Sequence, residues 1–293
     1  SFADNIQLSA NEYAIRMRGV RVTGGELMPK HFMALDTGGV TGRVDGVTTK
    51  DPSFGLPAVW ITPDQRAAAE AMGWSVVESP TVLATHLMET IREHSADLLT
   101  RQNVRELLDS LKETHPALVD DVVPNKLSLG AVHRVLQKLL REGIPVRDLA
   151  SILETLSDAA ETTKDPEVLT EYARRALSPV IVQMLGGGQQ AVRAITVGPR
   201  LEVALMQLFS PRARDAARPM DSDDLTRALQ SLTRVAEESR VDGMYASLIT
   251  PPALRVGIRR LVEPILPRLP IISLNELPTQ TPIQSIRTWE LSH

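Results

Sequence analysis

At residues 51–61 the chain carries the stretch DPSFGLPAVWI, which combines a stiff loop with the beginning of a strand. Proline at positions 52 and 57 and glycine at position 55 restrict or redirect the backbone. The apolar run at 58–61 is typical of a short buried strand. Phe54 and Leu56 lie inside this loop. They are either ordinary core side chains or the floor of a shallow apolar dimple that accepts a partner's side chain.

The residues on either side of this stretch predict further short elements. Apolar and polar residues nearly alternate over 13–20, which predicts a half-buried strand, and Gly24-Gly25 predicts a turn. Downstream, Thr62 and Gln65 form the pattern of a capping box and predict a short helix that ends at Gly73. Ser79-Pro80 predicts the beginning of a longer helix, whose buried stripe would be Leu83, Leu87, Ile91 and Leu98.

The rest of the chain changes character twice. Apolar residues recur at helical spacing throughout 99–183, with Ser128 and Asp165 as N-caps, which predicts a compact antiparallel bundle. From 184 to 293, strands and helices alternate, and Ser222 is predicted to cap one of the helices. Gly186 to Gly188 would be a mobile joint. The sequence therefore predicts an α+β protein of several subdomains.

Composition excludes several classes of protein. The 293 residues include 32 Lys and Arg against 36 Asp and Glu, and this formal charge of −4 argues against bulk attraction to nucleic acid or anionic membrane. The absence of cysteine excludes disulfides, thiol catalysis and cysteine-ligated metals. The sequence has neither an uninterrupted apolar run of membrane-spanning length nor a signal-peptide pattern at residue 1, so we expect a soluble, intracellular chain.

Motifs for chemistry are not found. The six histidines lack metal-binding spacing, and neither a P-loop nor a GxSxG elbow is present, so no catalytic residue, cofactor or metal is predicted. Two alternatives stay open at this point. One is an enzyme whose site is assembled from distant residues. The other is a helical nucleic-acid-binding module at 99–160, although Asp148, Glu154 and Asp158 beside its few arginines would repel phosphate. Two basic clusters elsewhere lack the interleaved aromatic residues that single-strand binding favours. The clusters are Arg212, Arg214, Arg218 and Arg255, Arg259, Arg260.

Five stretches, in the same order, resemble the FlhA-type export gate family of flagellar and type III secretion systems. Residues 51–61 are similar to its DPAFGLPAxWI motif. The other four are GELMP at 25–29, TVLATHL at 81–87, the segment SLGAVHRVLQKLLREG at 128–143, and the segment from RDL at 147–149 to TKDP at 163–166. The resemblance covers about residues 4–180 together with the tail from 271 to 286, and is confined to the family's C-terminal cytosolic region.

The resemblance implies a particular domain organisation. The first α+β subdomain would comprise 1–29 and 79–98 and lack its N-terminal part. A small α/β subdomain would be inserted at 30–78. The helical bundle would span 99–178, and a C-terminal α/β subdomain would span 179–293.

The resemblance also implies a function. The chain would be a docking platform without enzymatic activity, at the cytoplasmic face of the bacterial inner membrane, and would touch the membrane only through a preceding half. It would bind chaperone–substrate complexes, the gate and the ATPase complex, and would assemble into a ring of nine. A flagellar system is favoured over a virulence injectisome.

The same resemblance implies the docking residues. They are Asp51, Phe54, Leu56 and Thr85, with Leu35, Val77 and Val82 as apolar walls. Thr37 stands where the family has a proline, so the wall could differ in shape here.

Overall fold

The computed structural model describes residues 6–186, 191–209, 220–241 and 244–291. The chain divides into two compact units. Unit 1 contains the chain up to His94 with Val241 and Met244, and unit 2 contains the remainder. The basic cluster Arg212, Arg214 and Arg218 and the joint at 187–188 lie outside the described residues. The finer division into four segments stays a prediction.

Unit 1 consists of short strands and two helices. These are β1 (Glu12–Met17), β2 (Val20–Glu26), β3 (Phe32–Leu35), β4 (Val47–Lys50), β5 (Pro57–Ile61), α1 (Arg66–Ala71), β6 (Ser75–Glu78) and α2 (Ser79–Glu93).

Four of these strands form an antiparallel sheet in the order β4-β5-β3-β6. Met33 of β3 lies between Trp60 of β5 and Val77 of β6, and alternate residues of the central strands point to opposite faces. One face buries Met33 and Trp60 against Val82 of α2, and the other buries Ala34 and Ile61 against Ala69 of α1. A helix therefore covers each face of this small sheet.

The strands β1 and β2 form a separate hairpin, and here the predicted turn is wrong. Gly24 and Gly25 lie inside β2, opposite Ala14 and Tyr13, while the chain reverses at Arg18 and Gly19. Glycine at these two positions allows Tyr13 of the neighbouring strand to approach closely; it does not mark a turn of the chain. A Cβ on Gly24 would lie 2.5 Å from the Tyr13 carbonyl oxygen, and one on Gly25 would lie 2.9 Å from the Tyr13 hydroxyl.

The capping box predicted at Thr62 and Gln65 is confirmed, and it caps a 3₁₀ turn (Pro63–Gln65) that leads directly into α1, whereas the stripe predicted for α2 is wrong. The Gln65 side chain accepts a hydrogen bond from the Thr62 amide at 2.9 Å, and Gly73 has a φ of +87° just beyond α1. In α2, however, the buried residues are Val82, His86 and Thr90, while Ile91 is 46% exposed. The buried face is one residue, about 100°, away from the leucine stripe. Internal hydrogen bonds allow the two polar residues to be buried there.

Unit 2 contains a helical part followed by a parallel sheet with helices. The helices are α3 (Ser95–Leu98), α4 (Arg101–Lys112), α5 (Pro116–Asp120), α6 (Leu129–Arg141), α7 (Leu149–Ala159), α8 (Pro166–Ala176), α9 (Ser178–Met184), α10 (Pro199–Phe209), α11 (Ser222–Glu238) and α12 (Pro252–Val262). The strands are β7 (Val192–Val197), β8 (Ser247–Thr250), β9 (Ile271–Ser273) and β10 (Ile283–Trp289).

The helical part has one continuous apolar core, in which α6, α7 and α8 bury Leu136, Ile152 and Leu169 completely. Ser128 and Asp165 cap α6 and α8 as predicted. One predicted cap is wrong, because Asp221 caps α11 in place of Ser222; a second aspartate, Asp148, caps α7. In both cases a carboxylate oxygen accepts a backbone N–H hydrogen bond at the beginning of the helix.

The strands of unit 2 pair in parallel in the order β10-β7-β8-β9. These strands are linked by connections that include α10, α11 and α12. No helix was predicted from the sequence at the position of α10. Trp289 of β10 is fully buried, and its indole N–H donates to the Ala228 carbonyl at 2.8 Å. The mixed helix and sheet architecture confirms the predicted α+β class. Among the described residues, no helix combines the length and apolarity needed to cross a bilayer.

Candidate functional site

The Asp51 loop (residues 51–56) joins β4 to β5 and is organised around one aspartate. Asp51 is only 6% exposed. Its carboxylate accepts a hydrogen bond from the Phe54 amide at 2.6 Å, and its carbonyl accepts one from the Gly55 amide at 2.9 Å. Its own amide donates to the Leu56 carbonyl at 2.9 Å. These three bonds close the loop on itself.

Glycine and proline complete the loop. Gly55 has a φ of +71°, a region that residues with a Cβ rarely adopt, and Pro52 and Pro57 have fixed φ angles. The Pro57 carbonyl accepts a hydrogen bond from the Asp36 amide at 2.9 Å, which attaches the end of the loop to the residue after β3. The stiffness predicted for this stretch therefore has a visible cause.

Phe54 and Leu56 are each partly exposed. Their position differs from that of Met33, Ala58 and Trp60, which are buried in the sheet core. Phe54 is thus neither a fully buried core residue nor a fully exposed one. A ring held in this way leaves apolar surface that a partner could cover.

The three predicted wall residues come together in one apolar cluster. Leu35 of β3 and Val77 of β6 are partly buried and pack against it, while Val82 of α2 belongs to its buried part at 3% exposure. Leu35 also pairs with Ala58 in the strand that follows the Asp51 loop. Leu35 and Val77 therefore retain surface, whereas Val82 fills the space beneath.

Thr85 lies on α2, three residues after Val82 and therefore near it on the helix surface, and it is partly buried. The next residue, His86, is only 4% exposed. Its Nδ1 lies 2.5 Å from the Tyr13 hydroxyl and its Nε2 lies 3.2 Å from the Thr23 hydroxyl. The Tyr13 and His86 rings meet edge to face at 5.7 Å. These contacts attach α2 to the β1–β2 hairpin.

The hydroxyl of Tyr13, which contacts His86, has a shifted pKa. Burial raises the pKa of its hydroxyl to about 12, and the negative charge of Asp51 adds to the shift. The hydroxyl is therefore neutral at physiological pH and can exchange a hydrogen bond with His86. Sequence reasoning missed Tyr13 and His86. The available signal for His86 was its spacing of four residues from Thr90, which places two polar residues on one face of α2.

Unit 2 contains a second notable cluster, an ion-pair network at one end of the helical part. The Arg174 guanidinium contacts Glu276 at 2.5 and 2.9 Å and Glu142 at 2.7 Å. Arg255 contacts the same Glu142 oxygen at 2.8 Å and also pairs with Glu171. The network connects α8, α12 and the segments that follow α6 and β9.

The network explains one of the predicted basic clusters. Arg255 and Arg259 are buried, and Arg260 pairs with Glu167. Burial alone would raise the pKa of Glu142, but the charges of Arg174 and Arg255 outweigh burial and hold that pKa below its usual value. A cleft that is open to solvent adjoins the network, and its lining mixes arginine, lysine and glutamate. Arg255 and Arg259 are therefore enclosed within the protein, whereas Arg260 is exposed.

No cluster of His, Cys, Asp or Glu with the geometry of a metal site occurs in the part of the chain that the structure describes. The carboxylate of Asp51 accepts a backbone hydrogen bond, and those of Glu142 and Glu276 bind arginine. What the Asp51 loop offers chemically is the partly exposed apolar surface of Phe54 and Leu56, which is one ingredient of recognition.

Comparison with known proteins gives a consistent result. The model of the FHIPEP family matches residues 1–282. The flagellar biosynthesis protein FlhA of Bacillus subtilis is 35% identical over 283 residues, which cover 97% of this chain and 42% of that protein. The chain thus spans about two fifths of the length of this curated relative.

Solved structures share the fold. The structure of the Chlamydia pneumoniae CdsV and CdsO protein complex is similar with a TM-score of 0.84 and 25% identity, over 98% of this chain and 82% of that one. Nonameric EPEC SctV-C is similar with a TM-score of 0.77 and 17% identity, over 97% and 85%. From the family match over nearly its whole length, the chain belongs to the FHIPEP family.

Proposed function

We propose that this chain is the cytosolic docking platform of a flagellar type III protein export gate. It would receive export substrates and chaperone–substrate complexes at the cytoplasmic face of the inner membrane and order their delivery. Family membership supports the export role. The observation that carries the docking role is the Asp51 loop, which holds Phe54 partly exposed, while Leu35 and Val77 keep partly exposed surface on the sheet that the loop enters.

The energetics of this surface fit a transient contact. Burying a phenylalanine side chain contributes about 1.5–3 kcal/mol. A micromolar complex requires about −8 kcal/mol in total. Phe54 would therefore act as one hot spot, with Leu56 and Thr85 around it and with Leu35, Val77 and Val82 forming and supporting the wall. Asp51 would fix the loop's conformation. A platform that releases each cargo benefits from such weak binding.

The proposal extends to assembly and to the choice of system. The C. pneumoniae structure contains CdsO with CdsV, and the EPEC structure is nonameric. By analogy we propose contacts with other export components, including the gate and the ATPase complex, and a ring of nine. We favour a flagellar gate over an injectisome gate because the FlhA of B. subtilis is 35% identical, against 25% for CdsV. Flagellar or injectisome genes beside the coding gene would decide.

We further propose that the site binds and does not catalyse, with no cofactor, no metal and no nucleic acid. The remote alternatives, a nucleic-acid-binding module or an enzyme, are addressed by a fluorescence-anisotropy titration with random DNA at moderate salt and by assays for turnover. Saturable binding of DNA that weakens steeply with salt would favour the nucleic-acid alternative.

The replacement Phe54→Ala tests the docking proposal. We expect weaker binding of a purified flagellar chaperone–substrate complex, by roughly tenfold or more, because the ring's apolar contact is removed. Calorimetric titration measures the affinity, and circular dichroism should be unchanged. The matched control is Ile265→Ala, which truncates an exposed apolar side chain of unit 2. A folded Phe54→Ala protein that binds as tightly as wild type would contradict the proposal.

A further inference from the structure

The edge of the small antiparallel sheet in unit 1 leads directly into the Asp51 loop. In the order β4-β5-β3-β6, β4 pairs with β5 on one side only. β4 ends at Lys50, and the Asp51 loop begins at the next residue. Within the residues that the structure describes, the other side of β4 is therefore an open strand edge, continuous with the loop that holds Phe54. Such an edge offers unpaired backbone groups to a further strand.

The hydrogen bonds of β5 show which of its residues face β4. The Pro57 carbonyl accepts a hydrogen bond from the amide of Asp36, the residue after β3, so Pro57 directs its carbonyl away from β4. Successive residues of a strand direct their backbone groups to opposite sides. The next residue, Ala58, therefore directs its backbone groups towards β4, and so does Trp60.

The same alternation identifies the free backbone groups of β4. Val47 and Thr49 lie opposite the two residues of β5 that face β4, so they exchange hydrogen bonds with β5. Thr48 and Lys50 therefore direct their N–H and C=O groups to the open edge. Both residues are exposed, and no backbone hydrogen bond outside the sheet joins either of them to another described residue. Each can supply one donor and one acceptor to an added strand.

The side chains of β4 connect this edge to the apolar face of the sheet. Val47 lies in one row across the sheet with Trp60, Met33 and Val77, on the same face. At the end of that row, Val47 is 54% exposed. A strand added to β4 would therefore place a side chain beside Val47, on the face that also carries the proposed wall residues Leu35 and Val77.

The charge of Lys50 favours one kind of occupant. Its side chain is exposed and forms no ion pair with the part of the chain that the structure describes. A lysine on an edge strand opposes pairing with a second copy of the same edge, because it brings like charges together. It instead favours a segment that carries a carboxylate near it. The edge thus fits an extended segment of a different protein, with an apolar and an acidic side chain.

From this edge we propose that an export partner binds unit 1 as an added strand. An extended segment of the partner pairs with Thr48 and Lys50 of β4, covers Val47 with an apolar side chain and leads to the Asp51 loop. This binding mode rests on the proposed function and specifies how the partner's backbone is held. Main-chain hydrogen bonds supply affinity that does not depend on the partner's sequence, and side-chain contacts supply selectivity. A platform that receives different cargoes benefits from this division.

The first test measures amide hydrogen exchange in the wild-type protein, with and without a purified flagellar chaperone–substrate complex. The Thr48 and Lys50 amides should exchange rapidly in the free protein and about tenfold or more slowly in the complex, since new hydrogen bonds protect them. Val47 and Thr49 are the internal control, because their amides bond to β5 and should exchange slowly in both states. Rapid exchange at Thr48 and Lys50 in a saturated complex would overturn the added strand.

The second test removes one outward donor. Thr48→Pro lacks the N–H that faces the open edge, and its ring obstructs an added strand. Proline is tolerated on an edge strand where the N–H faces solvent, and the extended backbone that it requires of Val47 is already present. The free protein should therefore keep its circular dichroism spectrum. We expect binding of the complex to weaken by roughly tenfold or more.

Thr48→Val is the matched control, since it keeps the N–H and the β-branched shape and should bind as tightly as wild type. Calorimetric titration measures both affinities. Wild-type affinity in a folded Thr48→Pro protein would overturn the added strand, and so would equal losses in the two variants. If Thr48→Pro does not fold, exchange in the wild-type complex decides. Binding that requires Phe54 but leaves the β4 amides unprotected rejects the added strand and retains the proposed function. Failure of the wild-type protein to bind the complex rejects both.

Discussion

At the scale of single residues, the Asp51 loop shows how a buried carboxylate can fix a loop by accepting a backbone hydrogen bond. Asp51 accepts hydrogen bonds from the Phe54 amide with its side chain and from the Gly55 amide with its carbonyl, so the buried aspartate has backbone partners within its own loop. Gly55 then allows the positive φ that returns the chain to Leu56. Phe54 is held by backbone geometry in addition to its own packing.

Gly55→Ala should therefore disturb the loop through backbone strain. A Cβ at this position meets nothing within 4 Å, so the cost is conformational, about 1 kcal/mol in the free energy of unfolding. We also expect weaker binding of the chaperone–substrate complex. Gly38→Ala is the control, since Gly38 also has a positive φ, of +98°, and open space around it.

Urea denaturation and calorimetric titration of both variants would measure the two effects. We expect the two variants to lose similar amounts of stability. Only Gly55→Ala should bind the chaperone–substrate complex more weakly. Equal affinities in the two variants would show that the conformation of the Asp51 loop does not matter for binding.

The residues of the Asp51 loop could be predicted because their interactions are local in sequence. Asp51 contacts residues only three to five positions away. The contact between Tyr13 and His86 spans 73 positions, and no local pattern encodes such a pairing. A sequence therefore reveals the motif of the candidate site more readily than the residues that support it.

At the scale of elements, caps decide where helices begin, and the first turn can offer more than one candidate. In α11, Asp221 and Ser222 are adjacent, and both residue types are good N-caps. The structure uses Asp221, whose carboxylate accepts the Asp224 amide at 2.8 Å. A carboxylate also interacts favourably with the helix dipole, which a serine hydroxyl does only weakly.

Asp221→Ala should consequently lower the free energy of unfolding by about 1 kcal/mol, the usual cost of losing an N-cap. Ser222→Ala, one position later inside the helix, should change it by less than half as much. Chemical denaturation of both variants distinguishes them. If Ser222→Ala lost more free energy of unfolding than Asp221→Ala, the N-cap would be Ser222, as the sequence pattern predicted.

Helices and strands could be predicted where the local sequence pattern agrees with the packing in the folded protein. The capping box before α1, the cap of α6 and the strand at 58–61 follow local rules. The face of α2 did not follow them, because the burial of His86 depends on Tyr13 and Thr23 elsewhere in the chain. The turn at Gly24 was wrong for the same reason, since those glycines accommodate the neighbouring strand.

At the scale of the whole molecule, unit 2 is held together by apolar cores and by the ion-pair network. Arg174 is 1% exposed and binds two glutamates, one of which is 102 residues away. Removing one member of such a network leaves uncompensated buried charge, which is far costlier than losing a surface pair. The sequence showed Arg255 and Arg259 only as part of a basic cluster, because charge alone does not reveal burial.

Glu142→Gln should reduce the stability of the protein and flatten its acid dependence. The pKa of Glu142 is lowered on folding, so its charged form stabilises the fold above the unfolded pKa of about 4.5. That contribution is lost as the pH falls from this value through the lower folded pKa. Denaturation midpoints measured from neutral pH into this acid range should decline less steeply in the variant.

Glu154→Gln, which alters an exposed carboxylate on α7, is the control for this experiment. It should keep both the neutral stability and the acid slope of the wild type. An unaltered acid slope in Glu142→Gln would mean that the carboxylate is not stabilised by its arginines.

The order β10-β7-β8-β9 has a consequence for biosynthesis. β7 is flanked on one side by β10, which is translated last of the four strands, so the nascent sheet stays open along that edge while residues 198–282 are translated. Parallel pairing between such remote segments is slow, and an unpaired strand invites aggregation. Translation must therefore supply Trp289 before the tertiary structure of this unit can close, whereas the antiparallel sheet of residues 32–78 can assemble soon after its own synthesis.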